Sequence, residues 1–413
     1  MKAVVVIADG MADRPLRELN FKTPLEAARK PSLDWVAESG VCGIMDPIAP
    51  GVAPGSDAAT LALLGYDATK VYSGRGALEA LGFGIDLLPG DVAFRCNFAT
   101  VDDNLMVVDR RAGRIETDDA SKLVKDLEAY LLEEPLDVQV MFKNTIQHRA
   151  ILVLRGPNLS MEVSSSDPRK VRKRVLKVSP LDDTAEAKKT ADIVNKLTES
   201  FHETLENHPV NEERKKKGLP PANVILCRGA GKLPDVTPLT VQYGVRAAAI
   251  GAMPLAMGVC KVAGMKLIAV AGATGTYDTD VIAKADAAIR AAQSYDYVFV
   301  HVKATDVSGH DHEVKMKIKM IEKIDGMVGH LAKNLDLDDT LIVVTADHTT
   351  SVVTGDHEGD PVPVAITGSG VRTDDVREFG ERTCAKGGLG RLRGMDLMPI
   401  IMNLIGKTKK FGA

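Results

Sequence analysis

The strongest constraint in this sequence is a set of short runs rich in β-branched residues, at 4–7, 224–227, 267–271, 297–302, 341–345 and 363–367. Nearly all are apolar without the alternation of a half-exposed strand. A strand apolar on both faces must be covered on both faces, which favours parallel strands joined by crossover helices. The helices between them are legible by period. Within 312–335, Val314, Ile318, Ile321, Val328, Leu331 and Leu335 recur at spacings of three, four and seven, predicting one buried stripe on a Lys- and Glu-rich helix. Both ends of the chain therefore read as α/β, with a doubly wound, mostly parallel sheet.

The middle of the chain reads differently. A strand at 90–98, a helix at 117–134 opened by Thr117 and two aspartates, strands at 138–142 and 150–154, a long polar helix at 183–207 and a last strand at 224–227 give the order β-α-β-β-α-β. This is the split βαβ, ferredoxin-like arrangement of a small α+β unit. With 413 residues the chain has room for two or three domains, yet no Pro/Gly/Ser-rich or charged linker interrupts it. An insertion resolves that conflict, because two short crossings replace one long tether. The expected architecture is a core domain of residues 1–75 and 236–413 carrying an inserted domain of residues 76–235.

Charge and cysteine usage narrow the partners. With 52 Lys+Arg against 56 Asp+Glu the net charge is -4, which argues against a general electrostatic grip on nucleic acid or a membrane surface and leaves a small molecule as the expected partner. The basic run Arg169, Lys170, Arg172, Lys173, Arg174 and Lys177 reads as a solvated face. The cysteines Cys42, Cys96, Cys227, Cys260 and Cys384 are scattered without a C-x-x-C pair, against a disulfide framework or thiolate zinc site and in keeping with a reducing compartment. The apolar stretch 3–8 is too short for a signal peptide, and the longest apolar run, 247–260, is shorter than a bilayer span and contains Pro254. A cytoplasmic location is expected; nothing in the sequence sets an oligomeric state. No P-loop or full G-x-G-x-x-G is present, so a nucleotide-cradling loop is not expected.

In open α/β sheets, functional residues gather beyond the carboxyl ends of the strands. Asp9 follows the first run, Asp306 and His310 follow 297–302, Asp347 and His348 follow 341–345, and His357 comes shortly after. Taken singly, a strand-end Asp is more often a helix cap, and an isolated D-x-x-x-H is a chance spacing. Together, three aspartates and three histidines at one sheet edge supply oxygen and imidazole ligands for two divalent cations of the Mn, Zn, Mg or Co type. In GVAPGSDAATLALLGYD, residues 51–67, Ser56 falls at or near a helix start. The ordinary reading is an N-cap. The functional one is a nucleophile: helix N-termini attract phosphate, and contact with a metal lowers the serine pKa.

VVVIADGMADRP at 4–15, PGSD at 54–57, LLGYD at 63–67, YSGRGALEALGFGIDLLPGDVAFRCNFAT at 72–100, DRRAGR at 109–114, LCRGAG at 226–231, HVKATDVSGHD at 301–311, TADHTT at 345–350 and the closing KFGA follow one another along nearly the whole chain. In that order they resemble the archaeal-type cofactor-independent phosphoglycerate mutases of the alkaline phosphatase superfamily. The resemblance implies interconversion of 3-phosphoglycerate and 2-phosphoglycerate, in glycolysis and gluconeogenesis, through a phosphoserine on Ser56. It implies one metal held by Asp9, Ser56, Asp347 and His348 and another by Asp306, His310 and His357, manganese foremost, with magnesium, cobalt or zinc as alternatives, and no 2,3-bisphosphoglycerate. An inserted domain closing over the phosphoserine would keep water from it. The motifs supply candidates for the anionic groups of the substrate, which guanidinium forks suit: Arg110, Arg111 and Arg114 in DRRAGR, His148 and Arg149 in QHRA, and Arg228 in CRGAG. Lys303 either holds a phosphate or pairs with a core carboxylate. Val241 and Gln242 stand where family members often carry a Glu-Arg pair. His202, His208, His301, His312 and His330 are expected to be structural or solvated.

Two rival readings remain at this level. A metal-dependent phosphomonoesterase or another phosphomutase of the same superfamily would share the metal-serine core. A nucleotide-binding or scaffold protein with a vestigial site would have lost ligands, whereas every expected ligand type is present.

Overall fold

The computed structural model describes residues 1–133, 136–410 and 412. The chain divides into two compact units, Met1–Tyr72 with Asp235–Ala413, and Ser73–Pro234. The first crossing falls a few residues before position 76, because the helix Arg75–Gly82 belongs to the second unit. Gly76 shows why: a Cβ there would overlap the carbonyl oxygen of Ala93.

The first unit is built on an eight-stranded sheet in the order Gly390–Arg393, Gly40–Asp46, Val362–Thr367, Thr340–Thr345, Lys2–Ala8, Tyr297–Val302, Ala247–Ile250, Lys266–Ile268. Its central strands are buried along their whole length, as their unalternating sequences require. Val362–Thr367 pairs antiparallel on both sides, and the other strands run parallel to one another. Register places the site: Ala8 lies beside Val302 and Ile7 beside Thr345, so the three central strands end at one level.

Several expectations need correction here. The 267–271 run is a short edge strand, Lys266–Ile268, bonded on one side only. The 224–227 run is, as expected, the last strand of the second unit, and it extends over Val224–Gly231. Gly40–Asp46, Ala247–Ile250 and Gly390–Arg393 were not foreseen, because Ala- and Gly-rich stretches carry little strand signal. The helix expected over 312–335 spans Val314–Asn334. Its buried face includes Met320, Ile321, Ile324, Met327, Val328 and Leu331, whereas Val314 and Ile318 are half-buried and Leu335 caps the end. Lys317, outside the expected apolar stripe, is also fully buried, donating to Asp13 Oδ2 at 2.9 Å and to the Ala12 carbonyl at 3.1 Å.

The second unit is a five-stranded antiparallel sheet. Gln139–Asn144, Arg149–Arg155, Val92–Val101 and Val224–Gly231 lie side by side, with Val107–Asp109 paired to the far end of Val92–Val101. The helices Thr117–Glu133 and Ala185–Glu206 fall in the expected places, although Glu134, the last residue of the first prediction, lies outside the described residues. Alternation along Val92–Val101 sorts the faces. Val92, Phe94, Cys96 and Phe98 join Leu123, Leu127, Val194, Leu197 and Phe201 in one core, which leaves Arg95 and Asn97 to the other face.

The five cysteines are buried thiols. No helix among the described residues is long and apolar enough to cross a membrane.

Candidate active site

In the first unit, Asp9 leaves the Lys2–Ala8 strand and Asp347 and His348 leave Thr340–Thr345, while Asp306 and His310 sit on the short helix Ala304–His310 that follows Tyr297–Val302. His357 comes from a hairpin, paired with Thr350. Ser56 is the first residue of the helix Ser56–Leu63; the cap position belongs to Gly55, and no side chain caps the helix. The serine is therefore not the N-cap. Its Oγ faces inward, 3.1 Å from His348 Nε2 and 3.4 Å from Lys303 Nζ.

The hydrogen bonds around the histidines fix their tautomers. His310 Nδ1 lies 2.7 Å from the Gly355 carbonyl and His357 Nδ1 lies 2.7 Å from that of Pro54. A carbonyl only accepts, so both Nδ1 atoms carry the proton. His348 follows by one more step: Thr350 Oγ1 donates to Asp306 Oδ1 at 2.7 Å, so it accepts from His348 Nδ1 at 3.1 Å. In neutral imidazoles, all three Nε2 atoms then present lone pairs. Those of His310 and His357 face each other at 3.2 Å and stand 3.4 and 3.3 Å from Asp306 Oδ1. Acceptors converging in this way repel unless a cation joins them, and backbone carbonyls are the kind of outer partner that orients a histidine for a metal.

A second convergence adjoins the first. Asp9 Oδ1 and Asp347 Oδ2 lie 3.4 and 3.5 Å from His348 Nε2. Asp347 Oδ2 is buried and accepts no hydrogen bond among the described residues, while Oδ1 accepts from the Gly10 N–H at 3.0 Å. Ligand atoms of Asp9, Asp347 and His348 lie within 4.8 Å of one another, as do those of Asp306, His348 and His357. The donor set, carboxylate oxygen and neutral imidazole, fits divalent cations of borderline hardness.

For the Asp9, Asp347 and His348 group the electrostatics point the same way. Burial and the neighbouring charge of Asp9 push the Asp347 carboxyl well above the usual range. Burial lowers His348 to about 3, so it stays neutral. Burial also acts to raise Asp9, but the Lys303 ammonium and His301 outweigh it and hold it below its ordinary value. Lys303 Nζ is 3.0 Å from Asp9 Oδ2 and 2.6 Å from Asp306 Oδ2, so of its two expected roles the structure displays carboxylate pairing. His301, expected to be structural or solvated, is fully buried with Nε2 2.9 Å from Asp9 Oδ2. Thr350 was missed as well. The available signal was position alone: His301 precedes Lys303 in the strand-end motif, and Thr350 ends TADHTT.

In the second unit Arg110, Arg111, Arg114, His148, Arg149 and Arg228 all line one cavity of about 370 Å³, together with Asn97 and Gln147. The loop carrying the first three is tightly built. Asp109 accepts the N–H groups of Arg111 and Gly113, each at 2.8 Å. Ala112, Gly113 and Arg114 take positive φ values of 46°, 62° and 54°, and Arg214 restrains the turn by donating to the Ala112 carbonyl at 2.9 Å. Burial, followed by the charges of Arg149, Arg111, Arg114 and Arg228, lowers His148 to about 4, leaving it neutral near pH 7. Asp167, which no motif marked, is fully buried and forms a fork with Arg110.

A serine, two groups of candidate ligands and a lysine at the carboxyl edge of a mostly parallel sheet make up a candidate metal-assisted phosphotransfer centre. Comparison with known proteins shows the family. Residues 37–211 match the family of 2,3-bisphosphoglycerate-independent phosphoglycerate mutases, and residues 259–364 match type I phosphodiesterase / nucleotide pyrophosphatase. A protein of Methanococcus maripaludis named 2,3-bisphosphoglycerate-independent phosphoglycerate mutase is 46% identical, over 100% of both chains. A solved protein of Pyrococcus horikoshii is 39% identical, with a TM-score of 0.87 over 100% of this chain and 99% of that one. The cofactor-independent phosphoglycerate mutase of Thermoplasma acidophilum is 36% identical, with a TM-score of 0.74 over 98% of this chain and 100% of the other. The chain belongs to the 2,3-bisphosphoglycerate-independent phosphoglycerate mutase family.

Proposed function

We propose that the protein interconverts 3-phosphoglycerate and 2-phosphoglycerate, with Ser56 carrying the phosphoryl group between the two hydroxyls. The observation that carries this reading is the seating of Ser56 at a helix start, its Oγ 3.1 Å from His348 Nε2 and beside the two ligand groups. Asp9, Ser56, Asp347 and His348 would hold one divalent cation and Asp306, His310 and His357 a second, manganese being the first choice. Such cations, when bound, favour the serine alkoxide and neutralise phosphoryl oxygens.

The chain's own groups do the rest. Lys303, 3.4 Å from Ser56 Oγ, steadies negative charge on the serine oxygen. His348 stays neutral, so its Nε2 lone pair is available to the cation it would share with Ser56 Oγ. The positive dipole end of the Ser56–Leu63 helix, at the serine, favours the incoming phosphate. The phosphoryl passes from the substrate oxygen to Ser56, and the glycerate returns its other hydroxyl to take it back. Arg110, Arg111, Arg114, Arg149 and Arg228, with neutral His148, are the groups offered for carboxylate and phosphate.

Turnover of 3-phosphoglycerate measured by coupling to enolase, beside a phosphate-release assay, tests the reading. Mutase turnover exceeding phosphate release is expected, and Ser56→Ala should abolish it. Phosphate release without isomerisation would make the protein a phosphomonoesterase, and near-normal turnover in Ser56→Ala would remove the phosphoserine.

A further inference from the structure

We infer that Asp167 is a positioning residue for anion binding, setting the guanidinium groups of Arg110 and Arg228 and acting on the substrate only through them. The inference rests on the reading of the arginine cavity as the site of a substrate carboxylate or phosphate. Asp167 Oδ1 accepts Arg110 Nε at 3.0 Å and Oδ2 accepts Nη2 at 2.6 Å, a two-point fork that fixes the plane of the guanidinium. That fork leaves the Nη1 amino group and one Nη2 hydrogen for a ligand. The same Oδ2 lies 3.6 Å from Arg228 Nη1. One carboxylate thus serves two arginines that are 118 residues apart in the chain.

The carboxylate is itself held in place. Its Oδ1 accepts the Arg169 N–H at 2.8 Å. The preceding Ser166 is bonded to the Arg228 strand at Cys227: the Ser166 N–H donates to the Cys227 carbonyl at 2.9 Å, and Ser166 Oγ accepts the Cys227 N–H at 2.8 Å. Asp167 is thereby registered to the residue next to Arg228. Its own side chain is 0% exposed and does not line the cavity, whereas Arg110 and Arg228 do. A carboxylate facing the cavity would repel an anion. Placed behind the wall, it offsets the mutual repulsion of the clustered guanidiniums and aims two of them.

Steady-state kinetics of Asp167→Asn, which keeps the volume and removes the charge, tests this. The KM for 3-phosphoglycerate should rise by roughly 10- to 100-fold with kcat changed less than about threefold, since the lost interaction serves binding rather than chemistry. The discriminating measurement is a mutant cycle. In an Arg110→Ala, Arg228→Ala background, adding Asp167→Asn should change KM by less than about twofold. An unchanged KM in the single variant, or an undiminished effect in that background, would overturn the inference. Asp167→Glu, which keeps the charge and displaces the fork, should give an intermediate KM, and a KM no better than that of Asp167→Asn would also count against it. Calorimetric binding of 3-phosphoglycerate to Ser56→Ala, with and without Asp167→Asn, reads the cavity apart from turnover. If wild-type protein lacked mutase activity but this affinity difference persisted, the proposed reaction would fall and the role of Asp167 would stand.

Discussion

At the scale of single residues, the site depends on one glycine as much as on its ligands. Gly10 follows Asp9 with a φ of +63°, and its N–H holds Asp347 Oδ1. A Cβ there would strike Thr350 Oγ1 and come 2.7 Å from Asp306 Cβ. Gly10→Ala therefore combines backbone strain with a clash against the second ligand group. It should cost about 2–4 kcal/mol in chemical denaturation and, by displacing Asp9 and Asp306, lower activity by at least about 100-fold. A fully active, equally stable variant would contradict the geometry. The metal-ligand candidates were legible in the sequence because strand ends announce themselves: Asp9 and Asp347 each stop an apolar run. Asp167 and His301 were not, since a buried carboxylate in a loop and a histidine inside a strand look like ordinary residues until their neighbours are known. Ser56 was half legible. Its helix was foreseen, but whether the serine or the glycine before it capped that helix depended on backbone geometry.

At the scale of elements, the Val314–Asn334 helix shows how a correct period still misplaces a face. The expected stripe began at Val314 and Ile318, yet the helix turns Lys317 inward and seats it on Asp13, the Ala12 carbonyl and the Thr350 carbonyl. Farther along, Asp325 accepts the N–H groups of Ser32 at 2.7 Å and Leu33 at 2.8 Å, satisfying the start of the helix Pro31–Glu38. Two charged residues thus dock the helix where apolar ones would only pack it. Lys317→Ala leaves Asp13 buried without its partner and should lower stability by about 3–5 kcal/mol in urea unfolding. A loss below about 1 kcal/mol would show that the pair contributes little.

At the scale of the whole molecule, the candidate metal ligands and the candidate nucleophile Ser56 fall in one unit and the arginine cavity in the other. The response of the two units to metal should differ accordingly. In scanning calorimetry, manganese at 100 times its dissociation constant should stabilise the unit of Met1–Tyr72 and Asp235–Ala413 by about 2.7 kcal/mol per site, leave the Ser73–Pro234 unit unshifted, and be reversed by a chelator. An equal shift of both transitions, or of neither, would not fit ligands confined to the first unit. The sequence by itself determined the covered parallel sheet, the βαββαβ order of the second unit and which residues stand at the strand ends as ligand candidates, because apolar period and strand termination are local properties of the chain. Only the tertiary structure decided which lone pairs converge, which lysine is buried and which carboxylate stands behind the arginines. Those are contacts between residues up to some three hundred positions apart, and their geometry is set by sheet register and packing rather than by any local pattern.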